Sequence, residues 1–506
     1  MKIGRILKWI RDKLRAPPKE KIEIELPEIP PVWKRKPAER KPGDRVLRVP
    51  RVSPWRIPLP IIPAPKQPGF SPIMLVYGFA GVIILGTILL MFPISSKGGQ
   101  FTSPVDTLFT AASAVCVTGL VVKDTGTYWS SFGQGVILVL IQIGGLGFMT
   151  SATLLLLLLG RRIGIKERWL IGQSLGTGRL GGMVKLVRRV VVFTVIIEAI
   201  GAAILYVHLS VVSPTGTAAW RAVFTAVSAF NNAGFDIFGQ FRSLTGFQTD
   251  TLVLLTTAVL IILGGISFIV VADIIRMRRF GRLSVDSKIV LVTTLGLLVL
   301  GTAVILITEY SNAATLGPLA VPNKLLNAFF QAVTPRTAGF SSIDIGSMAA
   351  YTQFFTILLM FVGGAAGSTA GGIKVNTFGL LVSTIWSTIR GKEHAGVFGR
   401  EFANQQIHRA LSLVMLSLSL IFVVVFILTI TDKGFGFLRL LFETVSAFGT
   451  VGLSTGITPD LSVAGRLIIT AVMFIGRLGP LILVLALTQR QQPSEYRYPQ
   501  AEVRIG

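Results

Sequence analysis

FTAASAVCVTGL (109–120), FTAVSAFNNAGF (224–235), FFQAVTPRTAGF (329–340) and FETVSAFGTVGL (442–453) repeat one cadence along the chain. Each opens with Phe and closes on a glycine followed by Phe or Leu, and the closing glycines Gly119, Gly234, Gly339 and Gly452 lie 115, 105 and 113 residues apart. A repeat of that period predicts fourfold pseudo-symmetry within one polypeptide, with four equivalent backbone turns meeting on one axis and lining a pore. One such glycine, taken alone, reads as a packing position between membrane helices. Four in register, each set between a hydrophobic span, a short amphiphilic segment and a second span, make a pattern that packing does not require.

The rest of the chain is membrane material. Over 506 residues the mean hydropathy is +0.68 and 14% of residues are charged, too apolar for a soluble globular protein. Apolar runs of the length a crossing needs fall at about 72–92, 129–159, 188–208, 249–275, 288–310, 351–389 with a break, 409–430 and 461–488. That predicts eight spans, two per repeat. The net charge of +25 does not point to nucleic acid, because the basic residues sit in the amino-terminal tail and in every second loop rather than in a DNA-reading motif. Loops around 160–189, 276–288 and 390–409 hold them, so the positive-inside rule places these loops and both termini in the cytoplasm of a multi-pass cell-membrane protein. The four glycine segments then re-enter from outside.

Each re-entrant unit reads as a short helix followed by an extended strand. In the first, Ser103, Pro104 and Asp106 supply an N-cap, a proline at the first helical position and an acid in the first turn. The helix is expected to run to about Ala114 and to point its partially negative C-terminus at the membrane centre, where it favours a cation. Exposed backbone at that depth is permitted only beside a water-filled path.

With these residues in view, the chain from roughly Pro72 to Gln489 resembles the Trk/Ktr/HKT potassium transporters, and in particular the KtrB or TrkH type of pore subunit. The resemblance implies an all-α membrane protein of four tandem helix, pore-helix, filter, helix repeats around one pore, similar to a potassium channel. Because only a polar tail precedes the first repeat, the chain looks more like KtrB. The repeats expected are 71–160, 161–280, 281–395 and 396–490, flanked by cytoplasmic tails 1–70 and 491–506. The filter is assigned to Val117, Thr118 and Gly119; Asn232, Ala233 and Gly234; Thr337, Ala338 and Gly339; and Thr450, Val451 and Gly452. Since their side chains differ, the shared contribution is backbone carbonyls that replace the hydration shell of potassium, the substrate and the single metal expected.

The sixth span is interrupted by GGAAGSTAGG (363–372), followed by Lys374. Gly363, Gly364, Gly367, Gly371 and Gly372 would each cost about 1 kcal/mol in a continuous helix, so a break is predicted. The resemblance implies an intramembrane gating loop beneath the filter, with Arg477 of the last span beside it. The alternatives are a small-residue packing face for the glycines and a snorkelling side chain for the arginine. Glu198, mid-span, and Asp273, near a cytoplasmic end, read as structural charges able to pair with basic neighbours.

An enzyme reading finds little support: His208, His394 and His408 have no metal spacing, and Cys116 is the lone cysteine. GTGRLGG (176–182) lacks the ending of a phosphate loop, so no nucleotide or other cofactor is expected in this chain. The first 70 residues hold 14 of the 25 prolines and 18 Lys or Arg against 7 Asp or Glu. They read as a disordered tail or as one beginning with a basic amphipathic helix on anionic lipid. Similarity to KtrB further implies a homodimer seated on a cytosolic ring of KtrA- or TrkA-type nucleotide-binding regulatory subunits. The competing function is a secondary transporter with broken helices, coupled to sodium or protons.

Overall fold

A computed structural model describes residues 73–147, 183–392 and 394–479, all within one compact unit, Lys66–Gly506. The amino-terminal tail, the 160–182 loop with its GTGRLGG, and the 491–506 tail lie outside the described residues. The chain runs α1 (Ile73–Met91), α2 (Pro104–Cys116), α3 (Ser131–Leu146), α4 (Met183–Val212), α5 (Thr215–Phe230), α6 (Thr251–Gly265) and α7 (Phe268–Met277). It continues through α8 (Val285–Glu309), α9 (Val321–Val333), α10 (Ala350–Phe361), α11 (Val375–Ile389), α12 (Asn404–Thr431), α13 (Phe437–Gly449) and α14 (Val463–Leu478). A two-residue hairpin, β1 (Gly396–Val397) with β2 (Arg400–Glu401), precedes α12.

Length and burial separate two classes of helix. The long apolar helices α4, α8 and α12 are only 28% buried over their apolar stretches. The short helices α2, α5, α9 and α13 are the reverse: Phe109, Phe224, Phe330 and Phe442 are each fully buried. An apolar surface left outside and an amphiphilic helix placed inside is the arrangement lipid enforces, since the hydrocarbon solvates Leu and Val but not threonine. The internal threonines turn their hydroxyls onto their own helices, as Thr110 does to the Asp106 carbonyl at 2.8 Å and Thr444 to the Leu440 carbonyl at 2.8 Å.

Two sequence expectations need correction. The 249–275 stretch is not one continuous helix: it divides at Ile266–Ser267 into α6 and α7, which meet at 93°. Ser267 caps α7, its hydroxyl accepting from the Ile269 N–H at 3.3 Å, and the carbonyls released at the end of α6 are used elsewhere, as described below. The second departure concerns charges. Ser103 starts α2 without a side-chain cap, and Asp106 pairs instead with Arg466 of α14, Oδ1 to Nη1 at 2.7 Å, so the first and last short segments are fastened to each other. Neither Glu198 nor Asp273 forms an ion pair among the described residues: amides hold the first and Ser284 and Ser287 the second.

Candidate functional site

The four glycine turns follow the ends of α2, α5, α9 and α13 and meet one another in a closed circuit. A Cβ built on Gly119 would stand 2.5 Å from the Ala233 carbonyl oxygen, and one on Gly234 would stand 2.8 Å from that of Ala338. On Gly339 it would strike the Val451 carbonyl, and on Gly452 that of Thr118, returning to the start. All four glycines have positive φ, between 69° and 94°. No side chain fits here without moving backbone.

The glycines are not the only left-handed residues of these turns. Two residues before each glycine, Val117, Asn232, Thr337 and Thr450 are also left-handed, with φ of 56°, 57°, 73° and 49°. For β-branched Val and Thr this conformation is disfavoured and persists only where surroundings impose it. Those surroundings are visible. The N–H groups of Thr118, Ala233 and Val451 each donate to a serine carbonyl at 2.8 Å (Ser113, Ser228, Ser446), and that of Ala338 to the Thr334 carbonyl at 2.9 Å. The same side chains hold the far end: Ser113 and Ser446 hydroxyls accept from the Gly119 and Gly452 N–H groups at 3.1 Å, while Ser228 and Thr334 donate to the Phe235 and Phe340 carbonyls. These four hydroxyl residues were not singled out from sequence, although a serine at the fifth place of three of the four cadences was the available signal.

Left-handed residues alternating with ordinary ones turn successive carbonyls toward one side. None of the carbonyl oxygens of the twelve residues assigned from sequence accepts a hydrogen bond from another described residue, although eleven of the twelve residues are buried and Gly452 is half-buried. Buried carbonyls are nearly always paired; these are left with their lone pairs free. Outside it opens a cavity of about 390 Å³ reached by all four glycines and by Asp236, Arg242 and Asp344. There burial, opposed by the Phe238 N–H and reinforced by Asp124, pushes the Asp236 carboxyl up to about 7.

On the opposite side lies the glycine-rich loop. It leaves α10 and re-enters α11 through a bridge between Val362 and Ile373, with Gly367 and Gly372 at φ of 74° and 62°. Gly363 sits against the Thr337 methyl, Gly371 against the Thr450 side chain and Gly372 against the Gly449 backbone, so the loop abuts the inner ends of the third and fourth turns. Gly364 packs on Ala370 and on the Gly265 carbonyl. The carbonyls freed where α6 breaks now find their partners: Gly265 accepts from the Ala365 N–H at 3.0 Å, and Gly264 from the Thr369 hydroxyl at 2.9 Å. Lys374 folds back to the Ala370 carbonyl at 2.7 Å. Arg477 donates to the Thr369 carbonyl of the loop and to the Gly144 carbonyl of α3. One further cation escaped the sequence reading: buried Arg336, just before Thr337, which donates to the Thr294 carbonyl at 3.3 Å and hydroxyl at 3.2 Å.

Residues 73–496 match the family model TrkH, described as a cation transport protein. The chain is 46% identical to the Ktr system potassium uptake protein B of Bacillus subtilis (strain 168), over 86% of this chain and 96% of that one. It is 40% identical to the potassium/sodium uptake protein NtpJ of Enterococcus hirae, over 86% and 97%, and 38% identical to the Ktr system potassium uptake protein B of Vibrio alginolyticus, over 87% and 96%. Its fold is similar to the crystal structure of the potassium transporter TrkH from Vibrio parahaemolyticus, with a TM-score of 0.64 at 17% identity, covering 85% of this chain and 87% of that one. The sequence match spans nearly all the described residues and the fold match agrees with it; the chain belongs to the TrkH family of cation transport proteins.

Proposed function

We propose that the chain is the pore-forming subunit of a Ktr-type potassium uptake system of the cell membrane. The observation that carries this reading is the circuit of buried carbonyls without partners at residues 117–119, 232–234, 337–339 and 450–452. Twelve oxygens held by left-handed backbone offer an ion a replacement for its water, and their fixed spacing sets which ion is repaid best. The α2, α5, α9 and α13 helices act as pore helices, their C-termini aimed at the cation. The glycine-rich loop, anchored by Arg477 and Lys374, obstructs the path beneath this filter and swings aside during uptake.

The relatives' names support potassium as substrate, and that of NtpJ adds sodium as a competitor. No cofactor is needed in this chain, because the gradient and the membrane potential supply the driving force. Regulation falls to a cytosolic ring of nucleotide-binding partners under a homodimer, with both termini on that side. The secondary-transporter reading keeps one observation in its favour, the broken α6–α7 pair, but that break serves the loop. Tracer rubidium uptake into proteoliposomes, with sodium and proton gradients imposed separately, tests both: a pore follows the potassium gradient alone, and a coupled carrier follows the imposed second gradient. Copurification with a regulatory ring, followed by ATP- or ADP-sensitive flux, tests the partner.

A further inference from the structure

Behind the second filter turn lies a buried acid that this reading leaves idle. Glu198 projects from the middle of α4 and is 8% exposed. Its Oε1 accepts from Asn231 Nδ2 at 2.8 Å and its Oε2 from Gln142 Nε2 at 3.4 Å. No arginine, lysine or histidine pairs with it among the described residues, and the helices facing it are bare of titratable groups: α3 and α6 have none, and α5 has only Arg221, at its outer end beside Ser213. On α4 itself the charged groups are Lys185, Arg188, Arg189 and His208, each about two and a half turns or more away, with His208 paired to Asp250. Arg477, the cation of the neighbouring α14, spends its donors on Gly144 and Thr369. A carboxylate in this setting would be buried without a counter-charge, which is costly inside a bilayer.

The hydrogen-bond count points the same way. Asn231 Nδ2 has two hydrogens but faces three acceptors: Glu198 Oε1, Gln142 Oε1 at 2.9 Å and the Val227 carbonyl at 2.9 Å. That crowd of acceptors fixes the amide's orientation, and Asn231 Oδ1 on its other side is buried with no partner. The cluster is short of a donor. A proton on the Glu198 carboxyl supplies it.

We propose that Glu198 is a proton-binding site that positions the second filter strand through Asn231, so that its charge state tunes the affinity of the pore for cations. Asn231 is the residue immediately before left-handed Asn232. The corresponding places in the other turns are Cys116, Arg336 and Gly449, so an amide held by a carboxyl at this place is particular to the second turn; buried Glu443 instead accepts from Ser454, Thr455 and Thr458, beyond the fourth glycine. Taking up a proton from water neutralises the carboxyl; releasing it leaves a negative charge behind the ion path. This rests on the filter assignment above.

The test is the half-saturating potassium concentration for uptake into proteoliposomes over roughly pH 5 to 9, the span in which buried carboxyls titrate. In the wild type it falls as pH rises. Glu198→Gln, which copies the protonated form, holds the acid value at every pH. Both proteins are also measured with Asp236→Asn, which removes the vestibule carboxyl. A wild type indifferent to pH, or a Glu198→Gln profile identical to wild type, overturns the proposal. If Glu198→Gln does not insert, infrared difference spectra of Gln142→Leu decide: losing a donor to the carboxylate moves the carboxyl band's titration to higher pH, and an unmoved band overturns the proposal. Loss of potassium selectivity is not expected in either variant; filter failure is read separately from Gly119→Ala.

Discussion

At the scale of single residues, the sites of greatest demand are backbone dihedrals rather than reactive side chains. Gly119 and Gly81 make the contrast measurable. Gly81 lies within α1 with nothing within 4 Å of an added Cβ, whereas Gly119 has φ of 94° and a carbonyl at 2.5 Å. Gly81→Ala is expected to leave flux unchanged and to gain about 0.5–1 kcal/mol of helix stability. Gly119→Ala must bear a left-handed penalty of about 1–2 kcal/mol and displace Ala233, so it should lower the potassium-to-sodium flux ratio while the protein still inserts. Flux ratios and melting in detergent read both, and equal behaviour of the two variants would remove the filter from Gly119. The glycines were legible in the sequence because glycine is what a left-handed turn selects. Val117, Thr337 and Thr450 were not: their β-branched side chains favour extended backbone, and what overrules them is a hydrogen bond from the next residue to the end of its own short helix. That bond closes a helix end locally, and the preferences of the left-handed residue itself do not announce it.

The elements tell a similar story about breaks. Five glycines in ten residues announced the interruption between α10 and α11, because no helix carries that loss of propensity unaided. The interruption between α6 and α7 stayed hidden inside an unbroken apolar run whose Gly264 and Gly265 look like ordinary helix-packing residues. Its cause is the partner loop, whose Ala365 and Thr369 take the freed carbonyls. The two breaks therefore stand or fall together. Deleting 363–372 should raise resting potassium conductance. Arg477→Ala should raise it less, because it removes two donors but leaves the backbone bonds to α6 in place. Conductance recorded in planar bilayers with the purified variants decides; a normally assembled deletion with unchanged or lost conductance would mean that the loop is not an obstruction.

For the whole molecule, the circuit depends on a contact that sequence proximity does nothing to form. Asp106 and Arg466 are 360 residues apart, and the arginine also donates to the Pro459 carbonyl at 2.8 Å. Removing one partner of a fully buried pair costs about 3 kcal/mol, and less here, because Lys123 stands 3.9 Å from Asp106 and still offsets its charge. Arg466→Met should accordingly lower the melting temperature in detergent without changing the flux ratio, and adding Asp106→Leu should restore part of the loss. No recovery in the double variant would show that Arg466 acts through something other than this pair. The same seam has a bearing on how the protein is made. A ribosome delivers α2 and its buried acid long before α14 exists, and the Gly452 turn that abuts Thr118 is made nearly as late. Until then the oxygen ring has a side missing, and the nascent chain holds no complete conduit. On the pore reading proposed above, a cell inserting this chain is thereby spared a potassium leak from every unfinished or truncated copy, because the last quarter to be synthesised is also the piece that completes the ring.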